Sequence, residues 1–252
     1  MFGQTSYMKK TGIILAAGFG SRLAGTDDDT DLKPLTNVNG IPLIYRTIRS
    51  LKIAGCSRVV IVLGYGFEQI KEDILESYTG DLPIEFARNE QYDLSNGISV
   101  LAAEPFVEGN FILTMADHIL SDEMMLLAKE HVPPENGATL LVDFKLDEIF
   151  DMDDATKVDS QNGRIHSIGK EITDFNCVDT GVFVCTPSLL NEIKKVFKKQ
   201  GDASLSDGIQ ALANKNKMHT LDIGNAFWQD VDTPEMLEHA EKILNTEIPA
   251  EV

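Results

Sequence analysis

The chain has 252 residues, 43% of them hydrophobic, and 40 acidic side chains against 22 basic ones give a formal net charge of −18 at pH 7. That length suits one large α/β domain with a sizeable core. The charge excludes the basic stripe of a nucleic-acid scaffold and disfavours adsorption to an anionic membrane, so an enzyme of this composition that handles anions must gather positive charge locally or borrow it from a metal ion.

Residues 1–8 read as an N-terminal extension, with Met8-Lys9-Lys10 as an alternative start. A single domain is expected over 9–245, with a nucleotide-binding half (9–120), an acceptor-binding half (121–245) and a frayed tail (246–252). Residues 11–17 form an apolar run that ends in a glycine turn, the pattern of a buried first strand. Segment 40–55 carries Leu43, Ile44, Ile48 and Leu51 at helical spacing and stops on Gly55. Strands are expected at 58–63, 84–87 and Phe111–Met115, with a helix marked by Phe67, Ile70, Ile74 and Tyr78 between the first two. Strands alternating with helices imply parallel βαβ units.

From about Gly137 strand-like pieces dominate, at 138–144, 164–168 and 178–185, and Asn162-Gly163 is a hairpin turn signal. A helix after Pro187 presents Leu189, Leu190, Ile193, Val196 and Phe197 on one face. Thr233 followed by Pro234 is a helix start, threonine as N-cap and proline at the first helical position, with the helix reaching about Asn245.

Five constellations carry chemistry. The first is Leu15-Ala16-Ala17-Gly18-Phe19-Gly20-Ser21-Arg22-Leu23 with Lys33-Pro34-Leu35 beyond it. Glycines at a strand end let backbone amides approach phosphate oxygens, and Arg22 and Lys33 can supply compensating charge. It lacks the Gly-Lys-Ser/Thr of a Walker loop and the third glycine of a dinucleotide fingerprint. The acidic stretch 25–31 separates its halves, and its carboxylates should point to solvent or close over as a lid. The second is the strand-end Asp117, placed to hold Mg²⁺ on a triphosphate, with His118 beside it. The third is Trp228-Gln-Asp230-Val-Asp232, whose two carboxylates at i and i+2 on extended backbone can share a metal site with Asp117; which of the two binds is open. The fourth is the polar loop with Asn89, Asn96, Gly97 and Ser99, which offers donors and acceptors to a base edge. The fifth places Lys157 and Lys170 on neighbouring strands, able to neutralise an acceptor phosphate, with Asp154, Asn176 and Asp179 as partners for hydroxyls.

The first constellation resembles the signature of the sugar-phosphate nucleotidyltransferase superfamily. The segments Phe111-Ile-Leu-Thr-Met-Ala-Asp117-His118, Ala155-Thr-Lys157, Asp174-Phe-Asn-Cys-Val-Asp179-Thr-Gly-Val-Phe183 and Trp228-Gln-Asp230-Val-Asp232-Thr look like those of the CTP:inositol-1-phosphate cytidylyltransferases. The resemblance implies a three-layer α/β/α Rossmann-like (GT-A-like) fold with a mixed, mostly parallel central sheet. It implies that Leu15, Ala16, Ala17, Gly18, Gly20, Ser21 and Arg22 wrap the nucleotide. Arg22, Lys33 and Asp117 would then be catalytic, with Asp117 and Asp230 or Asp232 as ligands of Mg²⁺. Asn89, Asn96, Gly97 and Ser99 would read the base, and Lys157, Lys170 and Asp179 would hold the acceptor. The implied substrates are CTP and a phosphorylated polyol.

In many relatives of this kind the domain is fused to a membrane CDP-alcohol phosphotransferase. The expectation here is a stand-alone enzyme that hands its product to a separate membrane enzyme, itself a possible homodimer without stable membrane insertion. Cys56, Cys177 and Cys185 form no C-x-x-C pair, so no disulfide framework or zinc site is expected and a reducing cytoplasm is the natural location. Competing readings are a phosphocholine acceptor, a GT-A-like glycosyltransferase and a non-catalytic nucleotide-binding module.

Overall fold

The computed structural model describes residues 10–20, 23 and 32–247; the N-terminal extension, Ser21, Arg22, the acidic stretch 25–31 and the last residues of the tail fall outside the described residues. The first part of the chain forms β1 (Lys10–Ala16), β2 (Asn37–Val38), β3 (Ile41–Pro42), α1 (Leu43–Ile53), β4 (Cys56–Leu63), α2 (Phe67–Ser77), β5 (Ile84–Arg88), α3 (Asn96–Ala102) and β6 (Phe111–Met115). Then come β7 (His118–Leu120), α4 (Asp122–Glu130), β8 (Ala138–Asp143), β9 (Lys157–Gln161), β10 (Arg164–Gly169) and β11 (Cys177–Cys185). The chain continues through α5 (Ser188–Gln200), α6 (Leu205–Ala213), β12 (Met218–Asp222), β13 (Trp228–Asp230) and α7 (Pro234–Glu247).

Strands β5, β4, β1 and β6 lie side by side in that order, all parallel. Both faces of β4, β1 and β6 are covered, which is why their sequences are largely apolar rather than alternating, whereas the edge strand β5 alternates. Ile13, Leu15, Val60 and Val62 pack with Ile98 of α3, Leu189 of α5 and Ile209 of α6. Ile14, Ala16, Ile61 and Leu63 pack on the other side with Ile44 of α1, Ile70 of α2 and Met124 of α4. Helices therefore cover the sheet on both faces, giving the three-layer α/β/α arrangement.

Beyond β6 the same sheet continues through β11, β8, β12, β10 and β9. Only β11 and β10 run against the other strands of this sheet, so it is mixed. The first residues of β11 also pair with β9, Cys177 with Val158 and Val178 with Lys157, so this half curls back on itself. Asn162 and Gly163 both adopt positive φ, 52° and 72°, and close the β9–β10 hairpin. β11 changes register between Asp179 and Phe183, with Gly181 at φ 75° inside the irregularity. Bulges of this kind re-aim side chains beside active sites.

The α7 start behaves as its sequence implies, Met236 N donating to Thr233 Oγ1 at 3.3 Å. Helix α6 and strand β12 carry no sequence expectation. Ser204 opens α6 with a capping box to Asp207. The turn before it packs on α3: a Cβ added to Gly97 would lie 2.4 Å from the Ala203 carbonyl oxygen and 2.8 Å from the Ser204 carbonyl carbon. Both obstacles are backbone. Gly97→Ala should therefore cost about 1–3 kcal/mol, as other overpacked cores do. A melting temperature lower by several degrees in thermal denaturation is the expected outcome, and an unchanged one would show that α3 and residues 203–204 do not need this close approach.

Candidate active site

The carboxyl ends of β1 and β6 lie together, Ala116 N donating to Leu15 O at 3.0 Å. Just past that point the chain turns into β7, which pairs antiparallel with β13 so that His118 faces Asp230. Val231 N then donates to Asp117 O at 2.9 Å, which brings Asp232 beside Asp117. Lys33 opens a 3₁₀ turn (Lys33–Leu35), with Pro34 supplying the rigid second residue. Its ammonium donates to Asp117 Oδ2 and to Asp232 Oδ1. Gly20, at φ 63°, lies so close that an added Cβ would sit 2.5 Å from Lys33 Cβ. The two halves of the glycine-rich motif are thus packed on each other, although the acidic stretch separates them in sequence.

Charge compensation sets the protonation of this floor. Burial alone would lower the Lys33 pKa, but Asp117 and Asp232 hold it above the ordinary lysine value. Burial alone would raise Asp117, but Lys33 and His118 outweigh it and keep the carboxyl well below the usual range. His118 donates from Nδ1 to Asp117 Oδ1 at 2.7 Å. Burial opposes its protonation, while Asp117, Asp230 and Asp179 favour the imidazolium and raise its pKa overall. Burial, with help from Asp232 and Asp117, raises Asp230.

Two clefts share this floor. One, about 310 Å³, runs along Leu15, Ala16, Gly18, Phe19 and Gly20 to Lys33, Asp117 and Asp232. The other, about 320 Å³, shares Leu15, Gly18, Asp117 and Asp232 and opens toward Ala17, Asn96, Ser99, Lys170, Asp179 and Trp228. Of the residues expected to hold an acceptor, Lys170 and Asp179 line this second cleft and Lys157 does not. The Lys157 ammonium is instead taken by main-chain carbonyls, of Lys170 at 2.9 Å and of Asp153 and Ala155 at longer range. Lys170 pairs with Asp154 at 2.5 Å. Asp179 accepts from Gly181 N at 2.7 Å, yet burial pushes its carboxyl up to about 6.

The residues expected to read the base divide. Asn96 and Ser99 line the second cleft, although Asn96 Oδ1 also accepts from Leu205 N at 2.8 Å. Asn89 is buried and donates to Ser99 Oγ at 2.9 Å. Gly97 is buried against residues 203–204. Sequence reasoning did not place Asp154 beside Asp230 and Asp232, and Asp117, expected with those two, lies outside the group. One oxygen each from Asp154, Asp230 and Asp232 lies within 4.8 Å of the others, a spacing that one cation can bridge. It also missed the contribution of α6, whose Leu205 and Ser206 line the second cleft. Neither carries a local signal, because both reach the site only through tertiary folding.

Residues 12–145 match the family of the MobA-like NTP transferase domain. The bifunctional IPC transferase and DIPP synthase of Aquifex aeolicus is 33% identical over 237 residues, covering 94% of this chain and 52% of the relative. Its namesake from Archaeoglobus fulgidus is 31% identical over 244 residues, covering 96% and 45%. The chain therefore spans about half the length of these curated relatives. The solved inositol-1-phosphate CTP transferase of T. maritima superposes with a TM-score of 0.81 at 27% identity, over 96% of this chain and 98% of that one. Together with the strand-end aspartate, the glycine loop and its lysine, these matches show that the chain belongs to the MobA-like NTP transferase family, with the GT-A-like nucleotidyltransferase fold.

Proposed function

We propose that this chain transfers CMP from CTP to inositol 1-phosphate, releasing pyrophosphate and forming CDP-inositol. The observation that carries the reading is the Asp117–Asp232 pair shared by two clefts, one holding Lys33 and the glycine loop and the other walled by Lys170 and Asp179. A reaction between two anions needs such a junction: a triphosphate on one side, a phosphate on the other and compensating charge between them. The names of the Aquifex and Archaeoglobus relatives, and of the T. maritima transferase, support CTP and inositol 1-phosphate as the pair.

In this reading an acceptor phosphate oxygen attacks the α-phosphorus of CTP in line. No general base is required, since that oxygen is already ionised; the work is positioning and neutralisation. Main-chain amides of the glycine loop and Lys33 hold the triphosphate, with Arg22 assigned the same task on sequence alone. Lys170 faces the acceptor phosphate, and Asp179 accepts from ring hydroxyls. Lys157, held by loop carbonyls, shapes the segment that carries Asp154.

The group of Asp154, Asp230 and Asp232 fits a hard divalent cation, since its donors are all carboxylate oxygens. Asp154, Asp230 and Asp232 would hold Mg²⁺, with Asp117, now paired with Lys33 and His118, kept as a ligand on the sequence resemblance, and when bound the ion would neutralise phosphate charge. Among the described residues no helix is long and apolar enough to cross a membrane. We place the protein in the cytoplasm, supplying a membrane CDP-alcohol phosphotransferase.

Two measurements test this reading, and a third tests the burial of Asp179. Pyrophosphate release should appear with Mg²⁺, CTP and inositol 1-phosphate and stay at background with other nucleoside triphosphates; a response confined to phosphocholine as acceptor would overturn the polyol assignment. Lys33→Ala should lower kcat by at least about 100-fold while circular dichroism stays native, on the scale of losing one charge-stabilising donor. Near-normal turnover would remove Lys33 from the reaction.

The third uses pH. Asp179 has a pKa near 6 when folded, against the ordinary aspartate value of 3.8. The folded state therefore binds the extra proton between these values. Its contribution to stability is present at about pH 4 and is lost as pH rises through about 6, by up to about 3 kcal/mol. Asp179→Asn should remove this loss, so its advantage over the parent in urea denaturation grows between pH 4 and 6.5. A constant difference across that range would show that burial does not perturb Asp179.

A further inference from the structure

Asp143 ends β8 and is 3% exposed, so both carboxylate oxygens need donors within the protein. Oδ1 accepts from Lys145 N and from Lys145 Nζ, each at 2.8 Å. The same ammonium donates to Gly224 O at 2.8 Å and Ala226 O at 3.3 Å, in the turn that leads into β13. Oδ2 accepts the indole Nε1–H of Trp228, the first residue of β13, at 3.0 Å. One buried carboxylate thus fixes both the approach to β13 and the orientation of its aromatic ring.

The indole in turn lies against His118, with ring centroids 5.9 Å apart and planes inclined by 21°. The imidazole also rests on Gly181, where an added Cβ would come within 2.5 Å of Cδ2 and Nε2. Between these contacts the ring has little freedom, and its Nδ1 meets Asp117 Oδ1 at 2.7 Å. The Asp117 carboxylate is therefore set by two partners, His118 on Oδ1 and Lys33 on Oδ2. Asp143 itself does not line the clefts that share Asp117; it lines a separate cavity of about 420 Å³, with Trp228 and Asp230 in the wall between.

We infer that Asp143 is a positioning residue for the nucleotidyl transfer proposed above, acting through Trp228 and His118 to hold the Asp117 carboxylate in register with Lys33. The inference rests on that reading for its kinetic consequence, but its structural part stands alone. Outer-shell partners of this type are worth about 10- to 100-fold in activity when removed.

Asp143→Asn is the informative change. Lys145 N and Nζ both donate to Oδ1, so the amide oxygen of the asparagine is held there and its NH₂ faces the indole N–H, donor against donor. Trp228 is the only tryptophan in the sequence, so one indole N–H resonance and one emission spectrum report on this contact. In Asp143→Asn the indole resonance and the His118 ring resonances should both move, at a fixed pH. With CTP and inositol 1-phosphate, kcat should fall about 10- to 100-fold while KM for CTP stays within about threefold.

Trp228→Phe, which keeps a ring over His118, should retain more turnover than Trp228→Leu. Asp143→Asn combined with Trp228→Leu should be no worse than Trp228→Leu alone, because both act along one path. Unmoved His118 resonances, or a kcat within twofold of the parent, would overturn the inference, as would losses that multiply in the double variant. Should Asp143→Asn fail to fold, equal kcat in Trp228→Phe and Trp228→Leu would overturn it as well. Absence of pyrophosphate release in the parent with any substrate pair is a failure of the proposed function instead, and the His118 resonances then decide the positioning claim.

Discussion

The Lys33 ammonium between Asp117 and Asp232 is the contact on which the site depends. Several carboxylates converge at the strand ends, and Asp154, Asp179 and Asp230 lie in the cleft beside that pair. Without a cation among them, burial and mutual repulsion would push their protons back on, as burial does at Asp179 and burial with repulsion does at Asp230. Lys33 instead keeps Asp117 ionised in a partly dry environment, where a charge interaction is several times stronger than in water. Under the proposed function the same ammonium would then be available to a phosphate.

Topology explains how residues more than a hundred positions apart meet there. The parallel half of the sheet delivers Leu15 and Asp117 side by side, because β1 and β6 are neighbours. The curled half delivers Asp179 on β11, whose irregular register leaves Gly181 as a seat for His118. The short β7–β13 pair joins these halves across the floor and sets Asp230 opposite His118. Its six residues are too few to hold themselves together. They are anchored from outside, by Ser121 N donating to Phe227 O and by Asp143 binding the Trp228 indole.

The parts of this arrangement that the sequence displays are those with a local cause. β1, β4 and β6 announce themselves because burial on two faces demands apolar runs. The Asn162-Gly163 turn and the Thr233-Pro234 helix start are visible because particular backbone angles demand particular residues. Lys33, Asp117, Asp230 and Asp232 could be singled out because charged groups at strand ends and beside glycines are chemically conspicuous. What stayed hidden has a tertiary cause. Gly97 reads as part of a base-binding loop, yet it lies against the Ala203 carbonyl, and only the α3–α6 approach shows this. Asp154 joins the acidic group from a loop with no periodic pattern. Asp143 is an ordinary strand-end acid in sequence, and its partners Lys145 and Trp228 become meaningful only once β13 is laid beside β7.

The large net negative charge of the chain looks at first unsuited to the two anionic substrates proposed for it. Its influence is limited by screening: the Debye length is about 8 Å at physiological ionic strength, so distant surface carboxylates contribute little at the floor of the cleft. What a phosphate meets there is set by groups a few ångströms away. Lys33 is nearly buried and Lys170 half-exposed, and each is already paired with a carboxylate. Pairing lowers the resting cost of holding these cations in place, and under the proposed function it would let a substrate exchange one anionic partner for another. An acidic protein can therefore handle polyphosphates if its cations are held inside the site by its own acids. Overall charge then bears on solubility and on the rate of encounter, while the few ion pairs at the strand ends govern the chemistry.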